Sequence, residues 1–149
     1  MRRSLPARIV VSLLCLAWSL ASAADVVVIV HPDNPLQSLS QREVSDLYLG
    51  RARSFQNGDD RTPLLARIYE QPAESPLRDA FFRSLNGMNI KQLNAYWARL
   101  RFSGEVLPPT VLPNSRSVVD TVRRDRNAIG YVHSSEIGDS VKIVLRLKE

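Results

Sequence analysis

The chain has 149 residues, a formal net charge of +5 at neutral pH, 44% hydrophobic residues and a single cysteine. Arg2, Arg3 and Arg8 supply three of the surplus charges, so the balance beyond residue 24 falls to +2, a value that does not suggest a nucleic-acid partner. Cys15 is the only thiol, so the rest of the chain can form neither a disulfide nor a thiolate metal site, and its length suits one hydrophobic core.

The N-terminus opens with basic residues and no acid, continues into the apolar run from Ile9 to Leu20, and closes on the small residues Ala21-Ser22-Ala23-Ala24. That pattern predicts a secretory signal peptide over residues 1–24, cleaved near Ala24. The apolar run is too short to cross a bilayer comfortably as a permanent helix. The alternative is an uncleaved anchor. The expectation is therefore a periplasmic or secreted domain of residues 25–149, without stable membrane insertion after cleavage and without Cys15.

Val26-Val27-Val28-Ile29-Val30 is a continuous β-branched run, the pattern of a strand buried on both faces. His31-Pro32-Asp33-Asn34-Pro35 ends it with turn residues. Ser40-Gln41-Arg42-Glu43 is a capping box. It opens a helix whose apolar face is Val44, Leu47 and Tyr48, and Gly50 is placed to end it in the left-handed conformation. A polar loop with Phe55 and the turn signal Asn57-Gly58 follows. Leu64 to Tyr69 reads as a second strand.

Ser75 and Pro76 suit the cap and first position of another helix, with Leu77, Ala80, Phe81, Ser84 and Leu85 inward and Asn86-Gly87 as its stop. A third helix starts near Asn89 and carries Ile90, Leu93, Trp97 and Leu100. The segment Ser103-Gly104 to Pro108-Pro109 is a loop. A fourth helix spans about Ser115 to Arg124, with Val118, Val119 and Val122 inward and basic residues in its last turn, where the helix dipole favours them. Ala128-Ile129-Gly130-Tyr131-Val132 is a short strand whose glycine marks a close backbone approach. Val141 to Leu147 alternates and predicts a half-exposed edge strand. This order of elements is that of a layered α/β domain.

Several of these segments, in this order, resemble the phosphate-binding, periplasmic-binding-protein-like family of ABC transporters. They are Asn34-Pro35, the helix from Leu39-Ser40 to Leu47-Tyr48-Leu49-Gly50, Phe55-Gln56-Asn57-Gly58, Ser75-Pro76-Leu77-Arg78-Asp79-Ala80-Phe81, Tyr96-Trp97 with Phe102-Ser103-Gly104, and Ala128-Ile129-Gly130-Tyr131-Val132. The match is to the short, single-lobe members. It implies a layered α/β/α periplasmic-binding-protein-like domain, a type II-like lobe with a mixed sheet. It also implies phosphate as ligand and a role in uptake or sensing. Two departures are plain. Most of the first lobe of the two-lobed pattern has no counterpart here. The family's Ser-Gly-Thr phosphate loop, which follows an arginine, is replaced by Ser75-Pro76-Leu77, so one amide and one hydroxyl donor are lost, and Arg67 precedes Ser75 at a longer spacing.

Helix starts attract oxyanions through free amides and the positive dipole end. Ser75 and Asn114-Ser115 head two such helices, and Arg67 or Arg78 could add charge. The competing reading is plain capping beside solvated arginines. His31 and His133, the only histidines, have no metal-ligand spacing, and His31 beside Pro32 reads as a turn residue. The sequence holds no Gly-x-Ser-x-Gly elbow. Glu70 and Glu74 flank a proline-containing loop and are expected to face water, as are Asp59-Asp60 and the basic cluster Arg42, Arg51 and Arg53. Trp97 is expected in the core and Tyr96 at its rim, with an aromatic sugar cage as the sharper alternative.

The expectation is a non-catalytic domain, with no cofactor and no metal, that binds a small phosphate-like oxyanion and works beside a membrane transporter or receptor. Its rival is a protein-interaction module, with a degraded ligand site, that docks on such a receptor or transporter.

Overall fold

The computed structural model describes residues 25–56, 63–104 and 106–148. The expected signal peptide and the Asn57-Gly58 and Asp59-Asp60 turns lie outside them. Strand β1 (Val26–Val30) is buried along its whole length. It is flanked antiparallel by β6 (Ala128–His133) and β7 (Lys142–Leu147). β4 (Arg67–Glu70) joins β6 in parallel, and β5 (Thr110–Val111) joins β4 in parallel, giving the order β5-β4-β6-β1-β7. The sheet is mixed, and β7 is an edge, as its alternation predicts.

Alternation along β1 separates two cores. Val26, Val28 and Val30 pack with residues of α1 (Gln41–Tyr48), α2 (Pro76–Asn86) and α3 (Ile90–Ser103). Val27 and Ile29 pack with Val118 and Val122 of α4 (Ser115–Arg124). Helices therefore cover both faces, which is the layered α/β/α arrangement. Among the described residues, no helix is long and apolar enough to cross a membrane.

The helix boundaries follow local chemistry. Ser40 Oγ accepts from the Glu43 amide at 3.2 Å, and Glu43 Oε2 accepts from the Ser40 amide at 2.8 Å. Gly50 has φ +70°, and a Cβ there would lie 2.2 Å from Val106 Cγ1, so both conformation and space require glycine. The start of α3 is a second capping box, Asn89 with Gln92. Phe81, wholly buried, stacks on Tyr131 with ring centroids 3.7 Å apart and planes 5° apart. Trp97 is buried against the same core.

The expected strand from Leu64 to Tyr69 is two strands. β3 (Leu64–Leu65) pairs with β2 (Ser54–Phe55), while β4 belongs to the main sheet and runs on to Glu70. The chain changes partners at one residue: the Ala66 amide donates to Arg53 O at 2.9 Å, and the next amide, of Arg67, donates to Asn127 O at 2.8 Å.

Candidate functional site

β4 and β6 are parallel, and α4 runs back before β6. The start of α2, which follows β4, and the start of α4 therefore lie at the carboxyl edge of this strand pair, the edge where open α/β sheets place ligands. Gln71, the residue after β4, joins them. It is 2% exposed. Its Nε2 donates to Ser115 Oγ at 3.2 Å and to Tyr131 O at 3.1 Å. The turn from Pro72 to Ser75 is closed by the Ser75 amide donating to Pro72 O at 3.0 Å.

The sequence-selected residues divide here. Ser75 occupies the cap position of α2, but its side chain makes no capping hydrogen bond. Pro76 is the first helical residue, as expected. Asn114 caps α4 through its side chain, which accepts from the Ser117 amide at 2.9 Å, whereas Ser115 is bound by Gln71. Gln71 itself carried no signal in the sequence beyond its place before a proline. Arg116 sits in the first turn of α4, a helix end whose dipole favours anions over cations.

Both arginines are paired with carboxylates. Arg67 begins β4 beside Ala128, at the amino edge of the strand pair, and its Nη1 bonds Asp125 Oδ2 at 3.0 Å at the far end of α4. Its distance in the fold from Ser75 follows from the strand direction, since residues 67 and 75 stand at opposite ends of β4. Arg78 is buried, and its Nε donates to the buried carboxylate of Glu70. Glu70 therefore does not face water, contrary to the expectation for the Glu70 and Glu74 loop. Alternation at the strand end turns Glu70 toward α2, while Gln71 bonds Ser115 of α4. Burial pushes the Glu70 carboxyl above its ordinary range, and the hydrogen bond and charge of Arg78 offset part of that rise.

The remaining candidates have local roles. His31 Nδ1 accepts from the Asp33 amide at 3.0 Å, a turn contact. Tyr96 is half-buried and donates to Leu49 O at 2.7 Å, with Arg51 and Arg99 each 5.9 Å from its ring centre. These contacts tie Tyr96 to the end of α1. A pocket of about 680 Å³ lies between the paired strands β2 and β3 and the loop before β5, lined by Gly50, Leu65, Arg67, Leu107 and Pro108 among others. Leu65 and Leu107 are exposed there.

No family model and no curated protein matches the sequence. Solved structures do match the fold. A protein of Clostridium perfringens, assigned to phosphate ABC transport as a substrate-binding protein and solved with phosphate bound, superposes with a TM-score of 0.62 at 23% identity, over 81% of this chain and 44% of that one. An ABC-type phosphate transport receptor of Vibrio cholerae superposes with a TM-score of 0.62 at 15% identity, over 81% of this chain and 45% of that one. The chain thus spans less than half the length of these proteins, and what it shares with them is the fold of a single periplasmic-binding-protein-like lobe, of the kind found in phosphate ABC transporter substrate-binding proteins.

Proposed function

We propose that the chain is an exported, non-catalytic binding-protein lobe that recognises a small oxyanion, phosphate first, at the joined starts of α2 and α4. The observation that carries this reading is the unspent hydroxyl of Ser75 at a helix start linked through Gln71 to Ser115. Two positive helix ends and Arg116 stand on the same edge. The phosphate-binding proteins that share the fold supply the choice of anion, and the basic, apolar and small-residue pattern of residues 1–24 supplies the periplasm as its compartment. A membrane transporter or receptor would be the protein partner. Binding involves no chemical step: hydroxyls, amides and dipoles hold the anion, and release reverses it.

An open lobe leaves a bound anion in contact with water, which competes for each hydrogen bond and screens each charge. Titration calorimetry of the exported monomer with phosphate and with sulfate should give dissociation constants on the order of millimolar. Ser75→Ala and Ser115→Ala should weaken binding, while Arg67→Ala should leave it unchanged because Arg67 lies at the other strand edge. Submicromolar affinity in a proven monomer would refute the open-site argument.

A second reading, a protein-interaction module on the same scaffold, is favoured by one observation: both arginines selected to hold an anion are spent on carboxylates, Asp125 and Glu70. It stands if no anion binds at any accessible concentration and Ser75→Ala leaves the protein's activity in cells unchanged.

A further inference from the structure

Among the described residues four large apolar side chains are exposed: Leu65 (64%), Phe102 (94%), Leu107 (89%) and Val111 (57%). They share one region of the surface. Leu65 and Leu107 line the pocket of about 680 Å³ together with Gly104, and Phe102 stands two residues before that glycine, in the last turn of α3. Val111 lines a smaller cavity with Arg101, and Pro108 and Pro109 line both. Single exposed apolar residues are ordinary, whereas a contiguous group marks a contact surface.

The register of the sheet explains why these side chains are left uncovered. β4 and β5 pair at Tyr69 with Thr110 and at Glu70 with Val111. Continued toward the chain start, that register would set Arg67 against Pro108 and Leu65 against Val106. Prolines carry no amide hydrogen, and the paired register ends at Thr110. The two segments part around the pocket instead, with Leu65 and Leu107 exposed on its walls. The prolines also restrict the backbone beside Leu107, so holding that side chain out costs little ordering.

We propose that this face docks on the surface of an anionic phospholipid bilayer. Phe102 and Leu107 enter the boundary between headgroups and acyl chains, and Arg99 and Arg101 meet lipid phosphates. From Lys91 to Leu112 the sequence holds three basic residues and one acid, Glu105, which lies outside the described residues. Arg99 and Arg101 are exposed and have no ion-pair partner among the described residues. A lipid surface accepts protruding apolar groups in any arrangement and attracts cations without fixed partners. A second copy of the chain would bring these arginines against like charges. A protein partner asks for directed hydrogen bonds around its apolar centre, and between Leu107 and Thr110 the chain offers two prolines in place of donors. Arg67, on the pocket wall, begins β4 at its amino edge, so the face lies apart from the starts of α2 and α4 and does not depend on the oxyanion site.

Flotation of the purified protein with protein-free vesicles tests this. The vesicles are phosphatidylcholine alone, or phosphatidylcholine mixed equally with phosphatidylglycerol. The protein should float with the mixed vesicles and not with the neutral ones, and salt should release it. Phe102→Ser with Leu107→Ser should weaken binding at least about tenfold, the scale of returning one large apolar side chain to water. Arg99→Gln with Arg101→Gln should weaken it about 25-fold, about fivefold for each charge near the surface. All four side chains are exposed, so both variants should keep the parent's thermal transition. Both also carry the parent's N-terminus, so a difference from the parent cannot come from the apolar run of Ile9 to Leu20. The proposal is overturned if the protein floats equally with both lipids or with neither, or if either variant binds as the parent does. Protease-sensitive binding to native membrane vesicles, without binding to protein-free lipid, would assign the face to a protein partner instead. A self-associated state lost in the Phe102→Ser and Leu107→Ser variant, again without lipid binding, would assign it to a second copy.

Discussion

A Cβ placed on Gly130 would lie 2.4 Å from Cγ1 of Val118. The glycine is in the middle of β6 and the valine is wholly buried in α4, so this contact sets how closely the helix can pack on the sheet. Gly130→Ala should force the helix outward and destabilise the fold by about 1–3 kcal/mol, the range for overpacking a tight core. Val118→Ala in the same chain should recover part of the loss. Urea unfolding of the two variants and their combination measures the coupling, and strict additivity would show that the two sites do not meet.

The stacked pair Phe81 and Tyr131 joins α2 to β6, and Tyr48 meets both rings edge-on, at 4.9 and 5.6 Å between centroids. Phe81→Ala removes one ring from this group and leaves a cavity among side chains that cannot collapse freely. The expected cost is about 3–5 kcal/mol. A midpoint shift worth less than about 1 kcal/mol in urea would place Phe81 outside the core.

Much of this framework is written in short-range chemistry. The β-branched run at Val26, the capping box at Ser40, the stop at Gly50 and the unusual glycine in β6 each act on neighbours a few residues away, or declare a close contact by their composition. The site is less legible, because its pairings are long-range. Nothing near Glu70 in the sequence announces that Arg78 folds back onto it, and Glu70 reads as a solvated loop acid until β4 extends to include it. Arg67 looks close to Ser75 in number, yet a strand between them carries the two to opposite edges. Gln71 reaches Ser115 across 44 residues, and an uncharged side chain before a proline gives no hint of it. The split of Leu64 to Tyr69 into β3 and β4 is hidden for the same reason, since both halves are apolar and only their partners differ.

Helix caps offer a sharper contrast. Asn89 and Ser75 both occupy cap positions, but only Asn89 uses its side chain, accepting from the Gln92 amide at 2.9 Å. Asn89→Ala should cost about 1 kcal/mol of stability. Ser75→Ala should cost far less, within about 0.5 kcal/mol of zero as for a surface change, while still weakening oxyanion binding. Equal losses in a chemical denaturation series would mean that the Ser75 hydroxyl serves the helix after all, and would remove it as a free ligand group.

The Glu70 and Arg78 pair makes a pH-dependent contribution whose sign is fixed by burial. An arginine guanidinium does not lose its proton in proteins. Glu70 has its carboxyl raised by burial, with Arg78 opposing, so the folded chain holds the Glu70 proton more tightly than the unfolded chain does. Its contribution to stability is therefore fully present below the unfolded carboxylate range and is lost as pH rises through the raised folded value. Other carboxylates titrate in the same region, and the comparison that isolates Glu70 is the difference between the parent chain and Glu70→Gln. The glutamine keeps an oxygen that can accept from Arg78 but cannot titrate. Relative to this variant, the parent should lose stability with rising pH across that window and run parallel to it above. Unfolding free energies by urea at a series of pH values give the difference curve. A difference that grows in the parent's favour as pH rises would mean that attraction to Arg78 outweighs burial and holds the carboxylate charged.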